Sequence, residues 1–421
     1  MLDIKFIKEN KEIVEAGAKK KHVEVDIEKL IKLDDERLKI LKEVEDLRSE
    51  VNKVSNDIVR DQDPALKIQL IEEMRTVKEE IKAKEEKLKT IVEEWQKMML
   101  QIPNIPDISV PEGKDDGDNV EIKTWGEKTK FNFEPKDHIE IMNSHKMVDF
   151  ERGIKVHGFR GYFLTGESVK LCFAIWNYAM DFFTDKGFTP IIPPIIDRKE
   201  SFLGTGFIPQ GEEDLYKTQD GEYLAGTSEV PIMGFYSGEI IDKKLFPLKY
   251  LGFSPCFRRE AGSHGKDTKG LIRVHEFYKM EQVVLCEANH EISVKMHEEI
   301  NRNTEEFIES LEIPYHTVIN CGGDLGLGQV KKYDIELWVP KENKYREISS
   351  ASYFHDFQTR RFNIRYKDET GKMNYAHSLN CTAIPTPRIL VSMVENFQQA
   401  DGTIKIPEVL RKYMGGKEFI S

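Results

Sequence analysis

The chain has 421 residues, with 62 Lys and Arg against 74 Asp and Glu, for a formal net charge of −12; 39% of residues are hydrophobic and 32% charged. This balance is too apolar for a disordered chain and too polar for a membrane protein, and no apolar run approaches the ~20 residues of a spanning helix. An acidic whole does not draw polyanions over long range, so any nucleic-acid contact must come from local basic patches.

At roughly 100–200 residues per domain, the length suggests two or three domains. The start, Met1-Leu2-Asp3-Ile4-Lys5, has no basic segment followed by an apolar run, so no secretory leader is expected. The five cysteines, Cys172, Cys256, Cys286, Cys321 and Cys381, are scattered, with no Cys-x-x-Cys. They exclude a disulfide framework and a thiolate zinc site, and point to a reducing, cytoplasmic setting.

From about Ile27 to Leu100 glycine is absent and charged residues dominate. Leu30, Leu33, Arg37, Ile40, Val44, Leu47, Val51, Val54 and Ile58 follow a 3-4 spacing, with Arg37 the one polar member. Leu70, Met74, Val77, Ile81, Lys84, Leu88, Ile91, Trp95 and Met98 repeat it, with Lys84 the exception. Such stripes close a coiled-coil seam. Pro64, within Asp61-Gln62-Asp63-Pro64, separates the runs, and the spacing predicts a chain reversal there. The expected element is a hairpin of two helices, each roughly 30–35 residues and about 45–50 Å long. The same stripes also suit a dimerisation seam between two chains.

Pro103, Pro106, Pro111, Gly113 and Gly117 mark a linker over Pro103–Asp118. Beyond it, predicted helices at Glu167–Lys186 and His290–Leu311 alternate with strands such as Lys249–Arg258 and Leu271–Leu285. No Gly-x-Gly-x-x-Gly follows a strand and no Walker lysine loop occurs, so a doubly wound nucleotide site is not expected.

Four constellations carry chemistry. The first runs from Cys256-Phe257-Arg258-Arg259-Glu260 through glycines 262, 265 and 270 to Arg273-Val274-His275-Glu276-Phe277 and Glu281. Side chains alternate along strands, so Arg258 and Glu260 are expected on one face, and Arg273, Phe277 and Glu281 on one face of the pairing strand. Guanidinium forks suit phosphates, an aromatic ring suits a purine, and a carboxylate suits an amine. A charged, solvated hairpin is the alternative. The second is Thr227-Ser228-Glu229-Val230-Pro231, which by itself reads as a helix N-cap. In the third, Arg346-Glu347-Ile348-Ser349-Ser350, a carboxylate and a hydroxyl could share Mg²⁺. Residues 347 and 350 fall on opposite faces of a regular strand, so sharing a metal requires a bulge or break between them. The fourth runs from His377-Ser378-Leu379-Asn380-Cys381-Thr382-Ala383 to Arg388, with a helical stripe at Leu390, Met393, Val394 and Phe397. It sets Arg388 near a helix N-terminus, where anions bind well.

On these residues the sequence resembles the seryl-tRNA synthetases, class II aminoacyl-tRNA synthetases, over essentially its whole length. Gly187-Phe188-Thr189-Pro190-Ile191-Ile192-Pro193-Pro194 is similar to the class II dimer-interface motif, Phe257-Arg258-Arg259-Glu260 to the second class motif, and Thr227-Ser228-Glu229 to the family's serine-binding loop. Gln398-Gln399-Ala400-Asp401-Gly402 and Ile406-Pro407-Glu408-Val409-Leu410 extend the resemblance.

The resemblance implies an α+β fold: an antiparallel-sheet catalytic domain with flanking helices, plus an N-terminal antiparallel two-helix coiled-coil arm. The implied domains are 1–102, with the arm at about 27–100, a linker at 103–118 and a catalytic domain at 119–421. The implied activity is serine–tRNA ligation. ATP activates L-serine to seryl-adenylate, and serine passes to the 3′ end of tRNA-Ser, with tRNA-Sec left open. Implied catalytic residues are Arg258 and Arg388. Thr227, Ser228, Glu229, Arg258, Glu281, Asn380 and Thr382 are implied to hold serine. Arg258, Arg259, Glu260, Arg273, Val274, Phe277, Glu347, Ile348, Ser349, Ser350 and Arg388 are implied to hold ATP, with Mg²⁺ on Glu347 and Ser350. The arm is implied to grip the long variable arm of tRNA-Ser, and the chain to dimerise through the first motif, with neither a membrane nor DNA as partner.

Cys381, Thr382, Ala383 and Pro387 stand where bacterial members carry Gly-Ser-Gly and a later glycine, although eukaryotic-type members also place Cys-Thr after this Asn. Two other readings compete: an RNA-binding relative without catalysis, and an amino acid:carrier-protein ligase, which would lack the arm.

Overall fold

The computed structural model describes residues 1–60, 63–262 and 265–421. The expected reversal at Asp61-Gln62 and the Ser263-His264 tip of the glycine-rich loop lie outside the described residues. The chain forms two compact units: Leu2–Lys19 with Val23–Pro103, and Asn104–Ser421 with Met1 and Lys20–His22.

In the first unit, short helices α1 (Ile4–Glu9) and α2 (Lys11–Lys20) precede two long ones, α3 (Ile27–Arg60, 34 residues) and α4 (Pro64–Gln101, 38 residues). Asp63 caps α4, its side chain accepting from Ala65 N, and Pro64 takes the first turn, where a missing N–H costs nothing. α3 and α4 pack on each other through Ile40, Val44 and Ile91, with Leu33, Ile81 and Leu88 beside them. The seam thus closes within one chain, on the residues the spacing selects.

Both polar exceptions have partners across this seam. The Arg37 guanidinium lies 4.8 Å from the Trp95 ring centroid and bonds Asp34 at 2.7 Å. Lys84 Nζ reaches Glu43 at 2.6 Å. Solvent screens the Lys84–Glu43 pair and Arg37–Asp34 lies within one helix, so the apolar rungs carry the pairing.

The second unit is built on one eight-stranded sheet. In chain order the sheet strands and the helices that bear on the site are β1 (Val120–Trp125), α5 (Glu167–Asp185), β2 (Thr189–Ile191), α6 (Glu229–Phe235), β3 (Leu248–Phe257), β4 (Glu276–Cys286), α7 (His290–Ser310), β5 (Tyr315–Ile319), β6 (Lys331–Val339), β7 (Lys344–Tyr353), α8 (Phe357–Phe362), β8 (His377–Thr386) and α9 (Arg388–Phe397). The order across the sheet is β1-β5-β6-β7-β8-β4-β3-β2, and only the edge pair β2–β3 is parallel. Residues 279–286 of β4 are buried on both faces. This fits a central strand covered by a helix: Gln282 donates to Ile300 O and Thr304 Oγ1 of α7, both at 3.0 Å. Phe183 of α5, Phe188 and Phe307 of α7 fill the layer beneath.

Residues 104–118, expected as a linker, run along this unit. Asn104 is buried, its Nδ2 donating to Gly328 O at 3.0 Å and Phe354 O at 2.8 Å, and Gly322 N donates to Pro111 O at 2.9 Å. No helix among the described residues is long and apolar enough to cross a membrane, and all five cysteines are free and buried.

The strands of the first constellation pair as expected but are shorter. β3 ends at Phe257, leaving Arg258 and Glu260 beyond the strand. β4 begins only at Glu276, so Arg273 lies outside it. Other partners take the backbone groups of both flanks. Arg259 N donates to Asp214 O at 2.8 Å and Ala261 N to Asp214 Oδ1 at 2.7 Å, drawing the chain off the ladder after Glu260, whose φ is +56°. Ile272 O accepts from Arg388 Nε at 2.9 Å.

Candidate active site

The sheet face at the junction of β3, β4, β7 and β8 gathers most of the chemistry-bearing residues. Cys256 pairs with Phe277, and Arg258 N donates to His275 O at 2.9 Å, extending the strand contact by one residue. The exposed Arg258 guanidinium lies 5.3 Å from the Phe277 ring centroid, and its Nε donates to Gly226 O at 3.3 Å. Arg273 NH1 bonds Glu260 Oε2 at 2.6 Å. Burial would push the Glu260 carboxyl up, but Arg273 outweighs it and holds the group below the ordinary range. Arg273 Nε also approaches Asp267 at 3.6 Å. One cleft is lined by Arg258, Glu260, Val274, Phe277, Glu347, Ile348, Thr382 and Arg388 together. Arg259 is exposed and contributes its backbone to Asp214 rather than a wall to this cleft.

Beside it, β4, β8 and the start of α6 bring together a buried polar pocket of side chains that shares Lys279 and Thr382 with the cleft. Glu229, at the first position of α6, accepts from Gln358 Nε2 of α8 at 2.7 Å and from Asn380 Nδ2 of β8 at 2.6 Å. Burial, then the neighbouring Glu281, push its carboxyl up to about 7, against the pull of Gln358, Lys279 and Arg258. Glu281 is 1% exposed and ion-paired with Lys279. Lys279 Nζ donates to Thr227 Oγ1 at 2.8 Å and to Thr382 Oγ1 at 3.5 Å. Asn380 Oδ1 is buried and has no donor among the described residues. Two carboxylates, a free amide oxygen and two hydroxyls suit a small substrate bearing an ammonium and a hydroxyl.

Ser228, expected in this pocket, turns away from it. It is fully buried and shares a hydrogen bond with Ser254 of β3 at 2.8 Å, and it makes no side-chain cap bond to α6.

At the other end, Arg388 occupies the first position of α9, where NH1 donates to Glu347 O at 2.9 Å. The bulge that a shared metal requires is present: Ile335 pairs with Ser349 but Glu336 with Glu347, so β7 carries one extra residue at Ile348. Ser350 pairs with Asp334, two residues from Glu336 on β6, which brings Glu347 and Ser350 to one face. Glu347 is 53% exposed at its side chain, and Asp334 behind it is buried. This all-oxygen donor set fits a hard cation such as Mg²⁺. Ser349 points inward instead, bonding Thr382 O at 2.5 Å.

The departures around Asn380 leave the turn closed. Cys381 and Ala383 are fully buried, and Cys381 Sγ sits 3.4 Å from both Ser349 Oγ and Thr304 Oγ1. The register of β8 on β4 shifts between Thr382 and Ile384, so Ala383 is the bulged residue, and its side chain packs into the core.

Two contributors escape the sequence reading. Lys279 lies between Phe277 and Glu281 at the same strand parity, a signal that alternation already offers. Gln358 stands 129 positions from Glu229 on a six-residue helix, with Ser378 Oγ donating to its Oε1 at 2.7 Å; nothing local marks it.

Residues 1–106 match the family description "Seryl-tRNA synthetase N-terminal domain" and residues 216–397 match "tRNA synthetase class II core domain (G, H, P, S and T)". The chain is 44% identical over 421 residues to a serine–tRNA ligase of Deinococcus radiodurans, covering 100% of this chain and 99% of that protein. It is 42% identical over 430 residues to one of Methanocella arvoryzae, covering both completely. Among solved structures, the seryl-tRNA synthetase of Pyrococcus horikoshii complexed with ATP superposes with a TM-score of 0.90 at 40% identity, covering 100% of this chain and 99% of that one. The cytoplasmic serine–tRNA ligase of Naegleria fowleri in complex with AMP gives 0.87 at 35%, with the same coverage.

Proposed function

From the premise that this chain belongs to the seryl-tRNA synthetase family, we propose that it activates L-serine with ATP and transfers the serine to tRNA-Ser. The observation that carries this reading is the continuity between two sites. The polar cluster of Thr227, Glu229, Glu281, Asn380 and Thr382 adjoins the arginine-lined cleft, which Thr382 also lines, with Arg258 beside both.

In this reading Glu229, Glu281 and Asn380 Oδ1 receive the substrate ammonium, and Thr227 and Thr382 meet its hydroxyl. Arg258 turns the serine carboxylate toward the α-phosphorus and neutralises charge there as the carboxylate attacks and pyrophosphate leaves. Phe277 stacks on the adenine and Glu260 meets its amino group, while Arg273 and Arg388 hold phosphates. Positioning and fixed charge supply the catalysis, and no covalent enzyme intermediate is needed. Glu347 and Ser350 are the residues to hold Mg²⁺, which when bound offsets phosphate charge. The tRNA terminal hydroxyl then attacks the adenylate carbonyl, losing its proton as the anhydride bond breaks and AMP leaves.

The helical hairpin is assigned to the variable arm of tRNA-Ser. Its seam closes within one chain, which supports this assignment over a dimerisation seam. Dimerisation is assigned to the segment around α5 and β2, where Phe173 is 56%, Ile192 78% and Ile196 54% exposed. The five free buried thiols support a cytoplasmic setting.

The deciding experiment is ATP–pyrophosphate exchange without tRNA. Exchange with serine, and not with threonine, alanine or glycine, is the expected result. A folded protein that exchanges with no amino acid would instead be the RNA-binding relative without catalysis. Glu347→Gln is expected to raise the Mg²⁺ concentration for half-maximal exchange by about tenfold or more, with the serine KM little changed. An unaltered Mg²⁺ titration would remove Glu347 from the metal site.

A further inference from the structure

We propose that Lys279 is a specificity-determining residue of the amino-acid pocket: it neutralises one of two buried carboxylates and sets the direction in which the pocket's threonine hydroxyls donate. The proposal rests on reading that pocket as the serine site.

Lys279 is 5% exposed, and its ammonium touches three groups of the pocket at once: Thr227 Oγ1 at 2.8 Å, Thr382 Oγ1 at 3.5 Å, and the Glu281 carboxylate. An ammonium only donates, so each hydroxyl it meets must accept. Thr227 Oγ1 also accepts from Glu229 N at 3.2 Å, which engages both of its lone pairs. Its proton is the one capacity left, and it seeks an acceptor in the pocket. Thr382 Oγ1, receiving from Lys279, gives its proton to Glu281 Oε2 at 3.3 Å. A substrate hydroxyl satisfies the Thr227 proton, and a methyl group leaves it unpaired. Buried groups that lose their partner in this way discriminate strongly.

The charges follow the same logic. The groups facing Glu229 are Glu281, Lys279, Arg258 and the amides of Gln358 and Asn380, and those facing Lys279 include the thiols of Cys256 and Cys381. With Lys279 assigned to Glu281, one carboxylate remains to be matched by the substrate ammonium. Glu229 is held at about 7 by burial and by Glu281, so ammonium binding draws its proton off, and kcat/KM for serine rises with pH through neutrality. Without Lys279 the two carboxylates face each other with one cation fewer. The protonated form of Glu229 gains, and the rise moves to higher pH.

The test uses the full-length enzyme with Lys279→Met, Lys279→Gln and Lys279→Arg, in exchange assays with serine and alanine across pH. Lys279→Met is expected to raise the serine KM by about tenfold to hundredfold while the ATP KM stays within about threefold. It should also shift the acid limb upward and lower the serine-over-alanine ratio by about tenfold or more. Lys279→Gln keeps N–H donors without charge, so it should move the acid limb but retain more of the serine-over-alanine ratio. Lys279→Arg keeps the charge and should leave the acid limb in place. The two neutral variants test the charge independently, so either one that folds suffices.

Neutral variants with a wild-type serine KM, pH profile and selectivity overturn the proposal. So does an equal loss toward serine and ATP with a lowered Tm, which makes Lys279 a structural strut. Glu281→Gln and Asn380→Ala separate the two readings. If they too leave the serine KM unchanged, the pocket itself is misassigned. If they raise it while Lys279→Met does not, only the lysine proposal falls.

Discussion

Arg258→Ala is expected to lose at least about 10³-fold in serine-dependent ATP–pyrophosphate exchange, the largest effect of any single substitution in the site. The reason is its position. Arg258 follows directly on β3, stands over the Phe277 ring at 5.3 Å and lies between the cleft and the polar pocket. In the proposed reading it touches both reactants, so its loss removes orientation of the carboxylate and charge neutralisation at phosphorus together. A lysine cannot replace the planar fork, and Arg258→Lys should recover little of the activity. The fold should tolerate the change, because the side chain is exposed and its protein acceptor is the carbonyl of Gly226. Exchange assays paired with a thermal melt check this. Near-normal exchange by Arg258→Ala refutes the assignment, and an unchanged Tm with lost exchange supports it.

Removal of residues 27–100, bridged by a short flexible link, should leave exchange within a few-fold of the parent while tRNA charging falls by about 10²-fold or more. The helices of this segment bury their apolar rungs against each other. The pocket and cleft residues belong to the other compact unit. The two half-reactions should therefore separate. Charging by the intact enzyme should also weaken with salt, as phosphate contacts release counterions. Equal loss of exchange and charging would instead make the segment part of the folding unit, and retained charging would remove it from tRNA recognition.

Much of the molecule is legible because it is local. The hairpin follows from a 3-4 apolar period, and even its two irregularities, Arg37 and Lys84, resolve as cross-seam partners of Trp95 and Glu43. The helices at Glu167 and His290 and the β3–β4 pair follow from periodicity and alternation. The chemistry of the cleft follows from residue types: arginine forks, an aromatic face and carboxylates, on segments that reach one cleft.

The places where the reading fails are also physical. Strand alternation carried too far put Arg258, Glu260 and Arg273 on strands. In the protein, Asp214 and Arg388 take backbone partners from those flanks, and the ladder ends early. Ser228 carries the right residue type in the right motif, but a fully buried hydroxyl needs a partner, and Ser254 is the one it meets.

By itself, then, the sequence determined the helical hairpin, most of the strands and the identity of the groups that can handle phosphate, purine and ammonium, since each is written in spacing or in side-chain chemistry. Only the tertiary structure decided their final geometry. The bulge at Ile348 turns Glu347 and Ser350 to one face through pairing with β6. Gln358 reaches Glu229 from 129 residues away, and Lys279 ties Thr227, Glu281 and Thr382 into one connected group. Periodicity constrains neighbours along a chain, whereas a buried polar group takes its partner from whatever segment the packing brings beside it.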